Sequence, residues 1–262
     1  MDYNFTGLKH TQETIFSGKS YGDIEVSPIK KEYYLTLSVV IEDQENNECM
    51  SELKMISNSL KEILKGCQEE DLHFYKDNEF HFSLVNFLTY NYTEEVADTF
   101  RNFNNTIENN KEYLLQDLNS KIVSTIDKYK IKSDFPDAKF GILHADQGSV
   151  ATQVFLSEKM VKFCDELNMM ANFPKTSVKI YPVDDSKKNR CTINILKIFN
   201  KRSISTDVFK KTTKEILTTN SRFLVDGLLD LRLKNIRLNI SDPYLTQADT
   251  RYKLIKIYNL EK

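Results

Sequence analysis

The chain has 262 residues, with 36 basic and 38 acidic side chains and a net charge of −2. Seven Gly and five Pro are well below average usage, and 40% hydrophobic with 11% aromatic residues suffices for a sizeable core, which excludes collagen-like, low-complexity and disordered classes. The near-neutral balance argues against bulk duplex DNA as a partner, because that affinity comes from neutralised phosphates, but it leaves room for a site holding one or two phosphates.

The first 30 residues are polar and irregular, and read as an N-terminal arm. YYLTLSVVI (33–41) is rich in β-branched and aromatic residues and predicts a strand. After an acidic turn, Leu53, Ile56, Leu60 and Ile63 recur at helical spacing up to Gly66. Polar residues 68–78 then lead into a second strand over 79–88. Two amphipathic stripes follow: Val96, Phe100, Phe103 and Ile107, then Leu115, Leu118, Ile122, Ile126 and Tyr129. KFGILH (139–144) and SVATQVF (149–155) predict two strands joined by ADQG, and Leu156, Met160, Phe163, Leu167 and Met170 predict a helix. SVKIYPV (177–183) and RCTINILKIF (190–199) are strand-like, and residues 205–220 are compatible with a polar helix. LKNIRLNI (233–240) and YKLIKIYNL (252–260) close the chain as strands.

The order strand–helix–strand–helix thus occurs twice, at about 33–108 and 149–220. No Ser/Gly-rich linker separates the copies, so residues 31–262 are expected to form one bilobal domain with pseudo-symmetric halves. No apolar run approaches the roughly 18 residues of a membrane span, and the best is LSVVI (37–41). The N-terminus lacks the basic and apolar regions of a secretory signal. Cys49, Cys67, Cys164 and Cys191 form no C-x-x-C pair, so a zinc knuckle is not expected. Four separated thiols fit a reduced, cytoplasmic compartment.

Two short segments carry the chemistry: His81-Phe82-Ser83-Leu84 and Arg190-Cys191-Thr192-Ile193, each opening a strand-like stretch. Side chains alternate faces along a strand. His81 and Ser83 therefore share one face, with Phe82 and Leu84 turned to the core. Arg190 and Thr192 share a face in the same way, opposite Cys191 and Ile193. If the halves pack side by side, each offers a hydroxyl and a long polar side chain to one anion. A plainer role for His81 is a hydrogen-bonded core histidine, and His10 and His73, in polar surroundings, read as surface residues.

This pair resembles the twin H-x-[ST]-φ motifs of the 2H phosphoesterase superfamily, typified by RNA 2′,3′-cyclic phosphodiesterase/ligase proteins. HFSL matches fully; RCTI matches at Thr192 and Ile193 but has Arg190 where the family has its second histidine. The resemblance runs over about 33–260. It implies an α+β, bilobal fold with two antiparallel sheets around a central cleft and helices outside. It also implies acid/base chemistry on a phosphodiester without metal or other cofactor. His81 would then be acid or base, and Ser83 and Thr192 would hold the phosphate. Arg190 keeps its proton, so it would stabilise phosphate charge rather than move protons. His144, ending a strand of the second lobe, would supply the missing partner if that strand lay beside 190–199. Tyr34 is the candidate for stacking on a base.

Residues 186–214 hold nine basic side chains against Asp207 alone, so this window carries +8 and the rest of the chain −10. Such a field draws anionic ligands, although a set of solvated loops and a helix face would look the same. No phosphate-binding loop, dinucleotide fingerprint, H-E-x-x-H or G-x-S-x-G is present. Asp184-Asp185 is an isolated acidic pair. Three readings remain at this point. The first is a phosphodiesterase acting on an RNA 2′,3′-cyclic phosphate, a 2′–5′ linkage or a cyclic oligonucleotide. The second is a degenerate nucleotide or RNA-end binding module, and the third a ligand-free interaction protein working through helices 93–130.

Overall fold

The computed structural model describes residues 31–41, 46–92, 116–132, 137–146, 149–170, 191–198, 204–241 and 253–260. In chain order these form β1 (Lys31–Val40), α1 (Asn47–Ile63), β2 (Leu72–Phe74), β3 (His81–Tyr92), α2 (116–129), β4 (Ala138–Asp146) and β5 (Ser149–Leu156). They continue with α3 (Glu158–Met170), β6 (Cys191–Ile198), α4 (Thr206–Asp226), β7 (Leu229–Leu231), β8 (Asn235–Ser241) and β9 (Lys253–Asn259). The arm 1–30, the stripe Val96 to Ile107 and the strand-like stretch 177–183 lie outside the described residues. Among the described residues, no helix is long and apolar enough to cross a membrane.

The strands make two antiparallel sheets, as the family resemblance implies. One has the order β3-β1-β8-β9 and the other β2-β6-β5-β4-β7. Period-two patterning sets their faces. In β6, Cys191, Ile193 and Ile195 are buried while Thr192 and Asn194 are half-buried. β5, with a neighbour on each side, is buried along its whole length.

Connectivity repeats in the two halves. β1–α1–β3 places two neighbouring antiparallel strands in the four-stranded sheet, and β5–α3–β6 does the same in the other. The helices are exchanged between lobes. α1 lies against β6 and β7, and α3 lies against β3. α1 shows its apolar stripe at helical spacing, with Met50, Leu53, Ile56 and Leu60 buried. Its start is pinned by Asn46, whose side chain exchanges two hydrogen bonds with the Arg232 backbone, at 3.0 and 2.8 Å. Because each helix covers the partner sheet, the buried side chains of both halves form one continuous core.

Four features differ from the sequence reading. Residues 68–78 contain β2, too short for a periodic signal, and β7 is equally short. The second strand begins at His81, not at 79, because Asp77–Glu79 forms a 3-10 turn closed by Glu79 N–H to the Lys76 carbonyl at 2.8 Å. The helix expected over 205–220 runs to Asp226, where Gly227 at φ 94° ends it in the left-handed region that glycine tolerates.

β4 carries a bulge at Gly141–Leu143, with Ile142 at φ 58°. α4 holds this irregular backbone through one side chain. Asn220 accepts from Leu143 N–H at 2.6 Å and donates to the Leu143 carbonyl at 2.9 Å. Asn220→Ala leaves both buried backbone groups unpaired, and should lower unfolding free energy by about 1–3 kcal/mol. Urea denaturation of the variant checks this; an unchanged midpoint would show that the bulge is held by other contacts.

Candidate functional site

β3 is an edge strand, and its outer side faces β6. β2 pairs with β6 only over Leu196–Ile198, which leaves the beginning of β6 open on that side. The two motif strands meet there. The Cys191 thiol donates to the Ser83 carbonyl at 3.1 Å. Burial pushes the Cys191 thiol up to about 12, so it keeps its hydrogen and acts as a donor, not a nucleophile. Cys164 on α3 is also buried and raised well above the ordinary thiol value, by burial first and then by Cys191.

The hydroxyl of Ser83 is buried and has no hydrogen-bond partner among the described residues. Ser83 sits opposite Ser38 of β1, and Thr192 opposite Gln153 of β5. The two hydroxyl positions are thus equivalent in the two halves, each backed by a polar residue of the neighbouring strand.

His81 is 4% exposed and stands opposite Val40. Its Nδ1 lies 2.6 Å from the Glu79 carbonyl oxygen. A carbonyl only accepts, so Nδ1 carries the hydrogen and Nε2 of the neutral ring carries the lone pair. Burial lowers the His81 pKa, opposed by the Glu79 backbone bond and then by the Glu79 charge. The ring is therefore neutral at pH 7, with its lone pair on Nε2. Behind it, the Glu79 carboxylate accepts from Lys76 N–H at 2.8 Å and lies 3.4 Å from His73 Nε2. His73 is thus a partly buried neighbour of Glu79, stacked edge-on against Tyr75, and not the surface residue its polar surroundings suggested.

No protein-family model and no curated protein matches the chain. Among solved structures it is similar to ATU0111, a conserved protein of unknown function from Agrobacterium tumefaciens. That match has a TM-score of 0.50 at 7% identity and covers 95% of this chain and 98% of that one. The chain shares its overall fold with that protein. Usb1 of Kluyveromyces marxianus, solved with uridine monophosphate, also matches, with a TM-score of 0.42 at 12% identity over 90% of this chain and 100% of that one. At such identities the likeness concerns the fold and not the chemistry.

On this fold the expected site residues fare differently. His81, Ser83 and Thr192 lie at the beginnings of the two strands that Cys191 joins. Arg190 lies outside the described residues, as do Asp184-Asp185 and part of the basic window 186–214. Tyr34 is in β1, opposite Thr89 and Ser241; its side chain is outside the description. The condition set for His144 is not met, because β5 separates β4 from β6. His144 stands opposite Ala151, which pairs with Asn194, so it shares the sheet face of Thr192. Two strand spacings, about 10 Å between backbones, part β4 from β6.

Glu79 and Cys191 escaped notice because their work is done by a backbone carbonyl and by a residue on the core side of its strand. Ser38 and Gln153 become visible only through strand pairing.

The state of His81 has a pH signature. Folding holds its pKa below the unfolded value of about 6.5, so the unfolded chain binds a proton that the folded chain refuses. The stability tied to the neutral ring is intact above pH 6.5 and is lost progressively below it. In urea denaturation at pH 7.5 and 5.5, His81→Asn should gain on the wild type as pH falls. A difference between the two that stays constant with pH would contradict a buried neutral imidazole.

Proposed function

We propose that the seam between β3 and β6 binds a phosphate of a nucleotide phosphodiester, with His81 as the proton-transfer group. The observation that carries this reading is the buried, unpartnered Ser83 hydroxyl at the place where Cys191 fastens the second motif strand to the first. A buried hydroxyl without a partner costs free energy, which an incoming phosphate oxygen would remove.

In this reading Ser83 and Thr192 donate to non-bridging oxygens, and Arg190, next in the chain to Cys191, neutralises charge that grows in the transition state. On a 2′,3′-cyclic phosphate, a water oxygen attacks phosphorus and its proton passes to Nε2 of His81. The bond from phosphorus to one ribose oxygen breaks, and that oxygen takes a proton back from Nε2 or from solvent. Candidate ligands are an RNA 2′,3′-cyclic phosphate, a 2′–5′ linkage and a cyclic oligonucleotide.

A second reading is favoured by Arg190 itself. Arginine cannot replace a histidine in proton transfer, so the site would capture a nucleotide without turning it over. The two are separated by incubating the protein with 2′,3′-cyclic nucleotides, 2′–5′ oligoadenylates and cyclic dinucleotides, and following products by chromatography. If the site is an enzyme, one class is cleaved and His81→Ala slows cleavage by about 10²–10⁴-fold. Binding without cleavage, weakened in Ser83→Ala and Arg190→Ala, selects the binding module. If no nucleotide of these classes binds, the proposal fails.

A further inference from the structure

α4 lies against β4 and turns Thr212, Ile216, Thr219 and Phe223 to the protein interior. At 3.6 residues per turn, Lys214, Leu217, Ser221, Leu224 and Val225 fall together on the opposite side, within about a third of the circumference. That side is open: Leu217 is 37% exposed, Leu224 65% and Val225 84%. Met55 of the neighbouring α1 extends the patch. It is 44% exposed, and Arg222 of α4 donates to its sulfur at 3.7 Å. These four are half of the eight large apolar side chains exposed among the described residues. Single exposed apolar residues are ordinary, whereas a cluster marks a contact surface.

The hydroxyls on this side are satisfied within the helix. Ser221 Oγ donates to the Leu217 carbonyl and Thr218 Oγ1 to the Lys214 carbonyl, each at 2.9 Å. An apolar cover would therefore strand no donor. Ser221 is small, so a second helix can approach closely there, with Leu217 and Leu224 on either side of the crossing.

Charge on the same side is divided between the ends. Lys210 and Lys214 stand exposed in the first half of α4. The far end has the negative pole of the helix dipole and Asp226, and no basic residue in its last turn. Such a face complements itself when turned end for end. A second α4, antiparallel across a two-fold axis at Ser221, sets Leu217 of each copy against Leu224 of the other. It also brings Lys214 of each copy to the last carbonyls of the other helix. A lipid surface fits less well, because a helix lying on lipid carries cations along its flanks, and here the lysines of the face sit at one end.

We propose that the chain forms a two-fold dimer through α4, with Met55 of α1 at the margin of the interface. Sedimentation of the full chain over roughly 1–200 µM should show the mass passing from one chain to two. Leu224→Lys should keep the chain monomeric over that range while its circular dichroism spectrum stays that of the wild type. Lys214→Met should weaken association by roughly threefold or more, a loss that shrinks with added salt. With oxidised glutathione, Ser221→Cys should form an inter-chain disulfide, and Met169→Cys, 73% exposed on α3, should not. A wild-type chain that stays monomeric, or a dimer that survives Leu224→Lys, overturns the proposal. Equal cross-linking from positions 221 and 169, or a Lys214→Met dimer as tight as the wild type at low salt, overturns the antiparallel arrangement it rests on. A monomer that sediments with phosphatidylserine vesicles, and loses this in Leu224→Lys, would assign the face to lipid instead.

Discussion

A thiol-to-carbonyl hydrogen bond joins the two motif strands, one from each half of the chain. β3 is the edge of its sheet, and an edge strand has backbone groups on one side that no ladder satisfies. The Ser83 carbonyl is bonded on that side by Cys191. Because β2 reaches only the far end of β6, the two strands approach without hydrogen bonding as one sheet. That leaves a seam between the two strands that backbone pairing does not close. Cysteine suits the position. Its side chain is small and apolar enough for the core side of β6, and burial keeps its proton in place to donate.

The exchange of helices between halves serves the same end. α1 follows β1 of one sheet but covers β6 and β7 of the other, and α3 follows β5 but lies against β3. The relative placement of the two sheets is therefore fixed by the core and not by a flexible link. The hydroxyls of Ser83 and Thr192 inherit that rigidity, since Phe82, Cys191 and Ile193 anchor the other faces of the same strands.

Most of this architecture was legible because period-two and helical stripes dominate the long elements. β6 and α1 show their buried faces directly in the order of their residues. β2 and β7 were not legible, because three residues carry no period. Nor was the sheet order. His144 illustrates the difference: its strand was identified, but whether it neighbours β6 depends on pairing that composition does not encode. The motif itself was visible as residue types. Its buried setting, the tautomer set by the Glu79 carbonyl and the fastening by Cys191 depend on backbone atoms and on residues turned toward the core, where no side-chain pattern marks a function.

The asymmetry between the halves follows from what each motif can do with a proton. In the first, a neutral imidazole is oriented by a carbonyl bond and kept uncharged by burial, which lowers its affinity for a proton. In the second, the sequence carries a guanidinium, which can bind an anion but cannot titrate. A site with one titratable group and an added cation favours holding phosphate charge over balanced acid/base transfer. The physical features that weaken the case for rapid turnover are thus the same ones that strengthen the case for selective binding.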